Sequence, residues 1–166
     1  MSDAGVASGY VASFEPSMRL ALELAAATDT GSAAGSDVPV GAVVLDQAGT
    51  VLGRGHNQCL EATDPTAHAE IVAIRQAATA AGSWRLDGCT LVVTLEPCTM
   101  CAGAVLCSRI RRLVYGAADP RAGAAGSLWD VVRDRRLGPP VEVIGGVLAA
   151  ECAALLSGFF ERRRAE

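Results

Sequence analysis

Apolar positions follow two periods along the chain, one near 3.6 residues and one near 2. Phe14, Met18, Leu22 and Ala25 sit at helical spacing and predict a helix over residues 14–27, with Ser13 as its cap and Pro16 in its first turn. A Gly/Ser-rich loop follows over residues 28–37. Residues 38–45 and 51–55 read as two strands joined by the turn Asp46-Gln47-Ala48-Gly49. Residues 67–81 read as a helix capped by Thr66 and stopped by Gly82. Thr90–Leu95 is an unbroken apolar run, the pattern of a central strand covered on both faces, and Pro97 ends it. Thr99–Cys107 predicts a short helix of small residues. A strand over residues 112–115, a helical turn over 128–132, a short strand over 141–144 and an amphipathic helix over 148–164 complete the pattern.

Strands alternating with helices predict an α/β fold, with a sheet of about five strands and helices on both faces. The first 12 residues are small and polar and predict a flexible N-terminal tail; residues 13–166 predict a single domain. Composition narrows the class. The chain has 166 residues, 51% hydrophobic and 19% charged, which excludes a disordered chain and allows a core without disulfide staples. No apolar run approaches the roughly 20 residues a membrane span needs. The start of the chain carries no basic residue followed by an apolar stretch, so the expected location is cytoplasmic.

Charge adds an asymmetry. All 14 basic residues are arginine, and the net charge is −4. The first 100 residues hold four arginines against 11 acidic groups, whereas the remaining 66 hold ten against seven. Arg109, Arg111, Arg112, Arg121, Arg133, Arg135, Arg136 and the run Arg162-Arg163-Arg164 are the candidates for a nucleic-acid face, although charge alone favours a solvated arginine surface.

The chemistry gathers in two short segments, Pro65-Thr66-Ala67-His68-Ala69-Glu70 and Glu96-Pro97-Cys98-Thr99-Met100-Cys101, each opening a predicted helix. Cysteines three apart share one helix face, and the positive end of the helix favours thiolates. Two thiolates and an imidazole suit Zn²⁺ and leave a fourth position open for water, whose pKa falls to about 7 on zinc. Glu70, two residues from His68, can serve that water as general base and acid. Taken singly, His68 reads as an ordinary helix-start histidine, and the cysteine pair as a redox motif or half of a structural zinc site. Taken together, H-x-E followed by P-C-x-x-C is the zinc deaminase pattern.

On these residues the chain resembles the cytidine deaminase-like superfamily and, more narrowly, the bacterial tRNA-specific adenosine deaminases. The likeness extends through Val38-Pro39-Val40-Gly41-Ala42-Val43, Ser108-Arg109-Ile110, Gly123-Ala124-Ala125-Gly126-Ser127 and Glu151-Cys152-Ala153-Ala154-Leu155-Leu156-Ser157. The resemblance implies a three-layer α/β/α sandwich around a mixed sheet. It implies one Zn²⁺ per subunit on His68, Cys98 and Cys101, with Glu70 as the catalytic proton shuttle. Substrate contacts would fall to Asn57, to the backbone N–H of Ala69, to Val40 and to Asp119, with Pro39 and Leu95 as further apolar walls. Phe159, Phe160 and Arg162–164 would either meet the anticodon stem or close the core. His56 is expected to stay outside the ligand set. The implied reaction converts adenosine to inosine at the wobble position of a tRNA anticodon, in a homodimer whose partner is the anticodon stem-loop. Two other readings share the same residues: a deaminase of a free base or nucleoside (guanine, cytosine or cytidine), and a non-catalytic, zinc-stabilised RNA-binding module.

Overall fold

The computed structural model describes residues 9–28 and 35–165. Five strands form one sheet: β1 (Gly41–Leu45), β2 (Val51–His56), β3 (Thr90–Leu95), β4 (Arg112–Ala117) and β5 (Glu142–Gly145), in the order β2-β1-β3-β4-β5. β1 runs antiparallel to β2 and to β3, while β3, β4 and β5 run parallel, so the sheet is mixed. Ala42 pairs with Val93 and Val44 with Leu91; on the other side of β3, Leu91 pairs with Leu113.

The period of 2 sends alternate side chains of these strands to opposite faces. Ala42, Val44, Leu91, Val93 and Leu113 meet Ala69, Ala73 and Ala77 of α2 (Ala69–Ala81) and Ala102 and Val105 of α3 (Thr99–Cys107). Val43, Leu45, Val92 and Val114 meet Phe14, the residue before α1 (Glu15–Ala26), Met18 and Ala21 of that helix, and Cys152 of α4 (Ala149–Ala165). The result is the expected three-layer sandwich, with β3 fully buried over its first five residues.

Small residues let α2 lie unusually close to the sheet. A Cβ on Gly55 would stand 2.3 Å from the Ala69 carbonyl oxygen and 2.6 Å from the Ala73 nitrogen. Gly53 faces Ala73 and Ala77 in the same way. This seam fixes the start of α2, and His68 is the residue immediately before it. On the opposite face Gly41 admits the backbone of α1 at Ala21, which is why Ala21 rather than Leu22 is fully buried there.

Several boundaries differ from expectation for identifiable reasons. The first strand starts at Gly41 because the Val40 N–H turns back to the Val38 carbonyl. Thr66 does not cap α2: its backbone N–H and hydroxyl both donate to Asp64 Oδ1, at 2.8 and 2.7 Å, and His68 takes the cap position. Gly82 ends α2 as expected, in the left-handed conformation at φ 61°. Ser13 donates to the Tyr10 carbonyl, so Phe14 rather than Ser13 precedes α1. The helical turn expected over 128–132 does not form: Leu128 and Trp129 donate to the Gly123 carbonyl and Val131 to that of Ala124, folding the segment back as a turn. Of the expected tail, residues 1–8 lie outside the described residues, as do 29–34 of the Gly/Ser loop. Residues 9–12 are helical rather than loose. Tyr10 donates to Glu142 at 2.8 Å, its ring meets Phe14 edge-on, and the Arg112 guanidinium lies 5.5 Å over it.

The seam between β2 and α2 has a measurable cost when filled. Gly55→Ala should destabilise the fold by roughly 1–3 kcal/mol, the range for overpacking against an unyielding neighbour, since that neighbour here is backbone. Denaturant unfolding checks this, and an unchanged midpoint would contradict the seam.

Candidate active site

The carboxyl end of β3, the start of β1 and the end of β2 meet at one edge of the sheet, and two helices begin there. His68 is the residue preceding α2 and Cys98 the residue preceding α3; both have extended backbones, with ψ of 152° and 174°. Neither side chain caps its helix. Both therefore point elsewhere, and they point at each other. His68 Nδ1 lies 3.7 Å from Cys98 Sγ and 3.5 Å from Cys101 Sγ. Among the described residues this is the one group of three or more His, Cys, Asp or Glu side chains gathered closely enough to hold a metal ion, its donor atoms lying within 4.8 Å of one another.

The donor set fits zinc. Tetrahedral Zn–S and Zn–N bonds of about 2.3 and 2.0 Å place N and S roughly 3.6 Å apart, the spacing seen here. Electrostatics agree. The Cys98 thiol is held down to about 3, first by its hydrogen bond with Cys101 and then by His68. The Cys101 thiol is pushed up by that same bond and by burial. The hydrogen bond and His68 thus favour a thiolate in the cluster, and both helix starts add positive potential. His56 stands apart, 3.3 Å from both Glu61 and Gln58.

Beside the cluster lies a cavity of about 220 Å³ lined by Val38, Val40, Asn57, His68, Ala69, Glu70, Leu95, Glu96, Cys98, Asp119 and Ala122. It brings together His68, Cys98, Glu70, Asn57, Ala69, Val40, Leu95 and Asp119 of the expected site residues; Cys101, which is fully buried, and Pro39 do not line it. Glu70, in the first turn of α2, is 4% exposed; burial raises its pKa, opposed by a backbone hydrogen bond and by His68. Asn57 donates through Nδ2 to the Val38 carbonyl at 3.2 Å, while its Oδ1 is buried with no partner. An orphaned buried acceptor in a cavity wall is the mark of a position that a ligand completes.

Val38 replaces Pro39 in the wall: the turn closed by the Val40 N–H on the Val38 carbonyl leaves Val38 and Val40 in the lining and Pro39 out of it. Ala122 and Glu96 also escaped the sequence reading. Glu96 carried a signal, a lone acid closing an apolar central strand. Burial pushes its carboxyl up, but the Ser127 hydroxyl and the N–H groups of Asp119, Ser127 and Ala125 together bring it below the ordinary carboxylate range.

A second cavity, of about 690 Å³, shares Val38, Leu95, Asp119 and Ala122 with the first and continues past Pro120 and Arg121 to Leu156 and Phe160. Phe159 is fully buried and belongs to the core, whereas Phe160 is 41% exposed. Of the candidate arginines, Arg112, Arg133 and Arg136 are paired with Glu142, Asp130 and Asp134.

Comparison with known proteins agrees with this geometry. Residues 14–117 match the family model of the cytidine and deoxycytidylate deaminase zinc-binding region. The chain is 51% identical over 152 residues to the tRNA-specific adenosine deaminase of Haemophilus influenzae, spanning 92% of this chain and 86% of that one. It superposes with a TM-score of 0.77 and 43% identity on a structure from work on A-to-I editing by tRNA:A34 deaminases at the wobble position, covering 84% of this chain and 97% of that chain. Guanine deaminase from Nitrosomonas europaea is more distant in sequence, at 28% identity with a TM-score of 0.74 over 87% of this chain and 83% of that one. The chain belongs to the zinc-binding cytidine and deoxycytidylate deaminase family and, within it, to the tRNA-specific adenosine deaminases.

Proposed function

We propose that this protein hydrolyses the wobble adenosine of a tRNA anticodon to inosine, with His68, Cys98 and Cys101 holding one zinc per subunit. The observation that carries the proposal is the convergence, at one cavity, of the three-donor cluster that borders it, the buried Glu70 and the unpartnered Asn57 Oδ1. Zinc, when bound, supplies a Lewis acid that activates water. Glu70 takes a proton from the attacking water and passes it to N1 as the oxygen bonds to C6, then carries the second water proton to the amino group at C6. Its buried site, which raises its pKa, suits it to hold that proton in transit. The amino group leaves as ammonia and the base becomes hypoxanthine. Asn57 Oδ1 accepts a hydrogen bond from the nucleoside, the Ala69 N–H donates one, and Val40 and Leu95 clasp the base between apolar walls. Asp119 meets the nucleotide from the opposite rim.

The larger adjoining cavity accommodates the neighbouring nucleotides of the anticodon loop, with Phe160 as a stacking surface and Arg121 near the backbone. Anticodon-loop bases are already unpaired, so extruding one costs less than in a duplex. A free-base deaminase shares the zinc cluster, and the guanine deaminase likeness keeps that reading in view. The far higher identity to the tRNA-specific enzyme supports the RNA substrate. No helix among the described residues is long and apolar enough to cross a membrane, and we place the enzyme in the cytoplasm with its tRNA substrate. A second copy of the chain covers the groove between α2 and α3, where Ile71, Ile74, Ala104 and the exposed Trp84 present an almost wholly apolar lining.

The direct test is inosine formation at the wobble position of a synthetic anticodon stem-loop, run beside free guanine, cytosine, cytidine and adenosine. Turnover confined to the free bases or nucleosides would overturn the RNA assignment. Glu70→Gln should retain one zinc per chain and lose about 10²–10⁴-fold in turnover, the range for removing a general acid–base. In the same metal analysis Cys98→Ser should lose zinc and His56→Ala should keep it. Stem-loop affinity should fall linearly with the logarithm of salt concentration, as phosphate contacts require; a flat response would count against RNA binding. Trp84→Glu should sediment as a monomer where the parent protein sediments as a dimer.

A further inference from the structure

Glu96 is the one buried carboxylate of the site that the reaction does not use. It is 2% exposed, and among the described residues no arginine pairs with it. Its partners all come from one loop. Oε1 accepts the backbone N–H of Ala125 and of Ser127, each at 3.0 Å. Oε2 accepts the backbone N–H of Asp119 at 3.0 Å and the hydroxyl of Ser127. Both oxygens are thereby filled by donors, which leaves Glu96 no free lone pair aimed at the reaction.

The neighbouring backbone completes the attachment. Ala124 donates to the Pro97 carbonyl at 2.8 Å, and Cys98 bridges Gly123. Gly123 is required for this closeness: a Cβ there would lie 2.5 Å from the Glu96 carboxyl group and 2.5 Å from the Asp119 carbonyl. The loop so held supplies Asp119 and Ala122 to the wall of the cavity that Asn57 and Glu70 also line. Asp119 is itself held by its own loop, its Oδ1 accepting the N–H of Arg121 and of Ala122.

We propose that Glu96 is a positioning residue: its carboxylate clasps the 119–127 loop and so sets the rim of the cavity against which the substrate nucleotide seats. It acts on the substrate side of the site, although it lies two residues from Cys98. The proposal rests on the reading of the cavity as the nucleotide site. A carboxylate is required because four donors converge and an acceptor-only group satisfies them all. In Glu96→Gln the amide NH₂ must face a backbone N–H in either orientation. The less costly orientation places it against Asp119, freeing that end of the loop.

The test measures stem-loop kinetics, zinc content and amide hydrogen exchange on the zinc-loaded protein. Glu96→Gln should raise KM for the stem-loop tenfold or more, lower kcat less than threefold and keep one zinc per chain. Exchange at the amides of Asp119, Ala125 and Ser127 should accelerate while β1 and β3 stay protected. Gly123→Ala, which leaves the carboxylate intact but forces it away, should shift all these readouts in the same direction, and Ser127→Ala should do so more weakly. Unchanged exchange in the loop would overturn the clasp. So would loss of zinc in step with activity, or a fall in kcat at constant KM, since either outcome would mean that Glu96 acts through the metal instead. If the parent protein leaves the stem-loop untouched, the functional assignment fails on its own, and the exchange data still decide whether the clasp exists.

Discussion

His68 Nδ1 reaches two sulfur atoms at 3.7 and 3.5 Å although at least thirty residues of chain separate it from either cysteine. Two helices must start at the same place for this to happen, and their first turns must be held without slack. The seam of Gly53, Gly55, Ala69, Ala73 and Ala77 presses α2 onto the sheet backbone to backbone, with no flexible side chain between. α3 is placed by β3 itself, since Cys98 follows the strand by only three residues. The central strand is therefore both the floor of the core and the arm that carries the thiols.

Around this metal-binding corner, two buried carboxylates do the same mechanical work on opposite flanks. Asp37 accepts the backbone N–H groups of Leu60 and Glu61, gathering the loop that follows Asn57. Glu96 gathers the loop that carries Asp119. Loops that face a substrate cannot be secured by packing on the side where the substrate goes. Acceptors buried behind them secure their backbones from the rear, with little side-chain entropy left to lose. Two irregular segments beside the cavity are in this sense made rigid by charge.

Most of this architecture was legible from residue order. The period-2 apolar runs and the helical spacings gave five strands and the major helices, because each element buries one face and writes that face into the chain. The candidate metal cluster was legible because each of its two segments, His68-Ala69-Glu70 and Pro97-Cys98-Thr99-Met100-Cys101, carries its donors at short spacing. What escaped depends on contacts distant in sequence. The donors to Glu96 lie 23 to 31 residues away, so nothing near it announced the clasp. Thr66 looked like a cap until Asp64 claimed its hydroxyl, and Tyr10 looked like tail until Glu142, 132 residues away, gave it a partner. Pro39 was assigned to the wall and Val38 overlooked, because the turn that joins the Val40 N–H to the Val38 carbonyl left no mark in the apolar pattern.

The two unassisted helix starts have a consequence for the protein's lifetime. A side-chain cap is ordinarily worth about 1 kcal/mol to a helix, and α2 and α3 both forgo it so that an imidazole and a thiol can turn toward one another. A bound ion would then serve as a common fastening for both ends, added to the seam that already holds α2. A chain denied zinc would lose that shared link between two neighbouring helix starts, which lowers the cost of local opening there. Scarcity of the metal would thus cost surviving molecules as well as turnover.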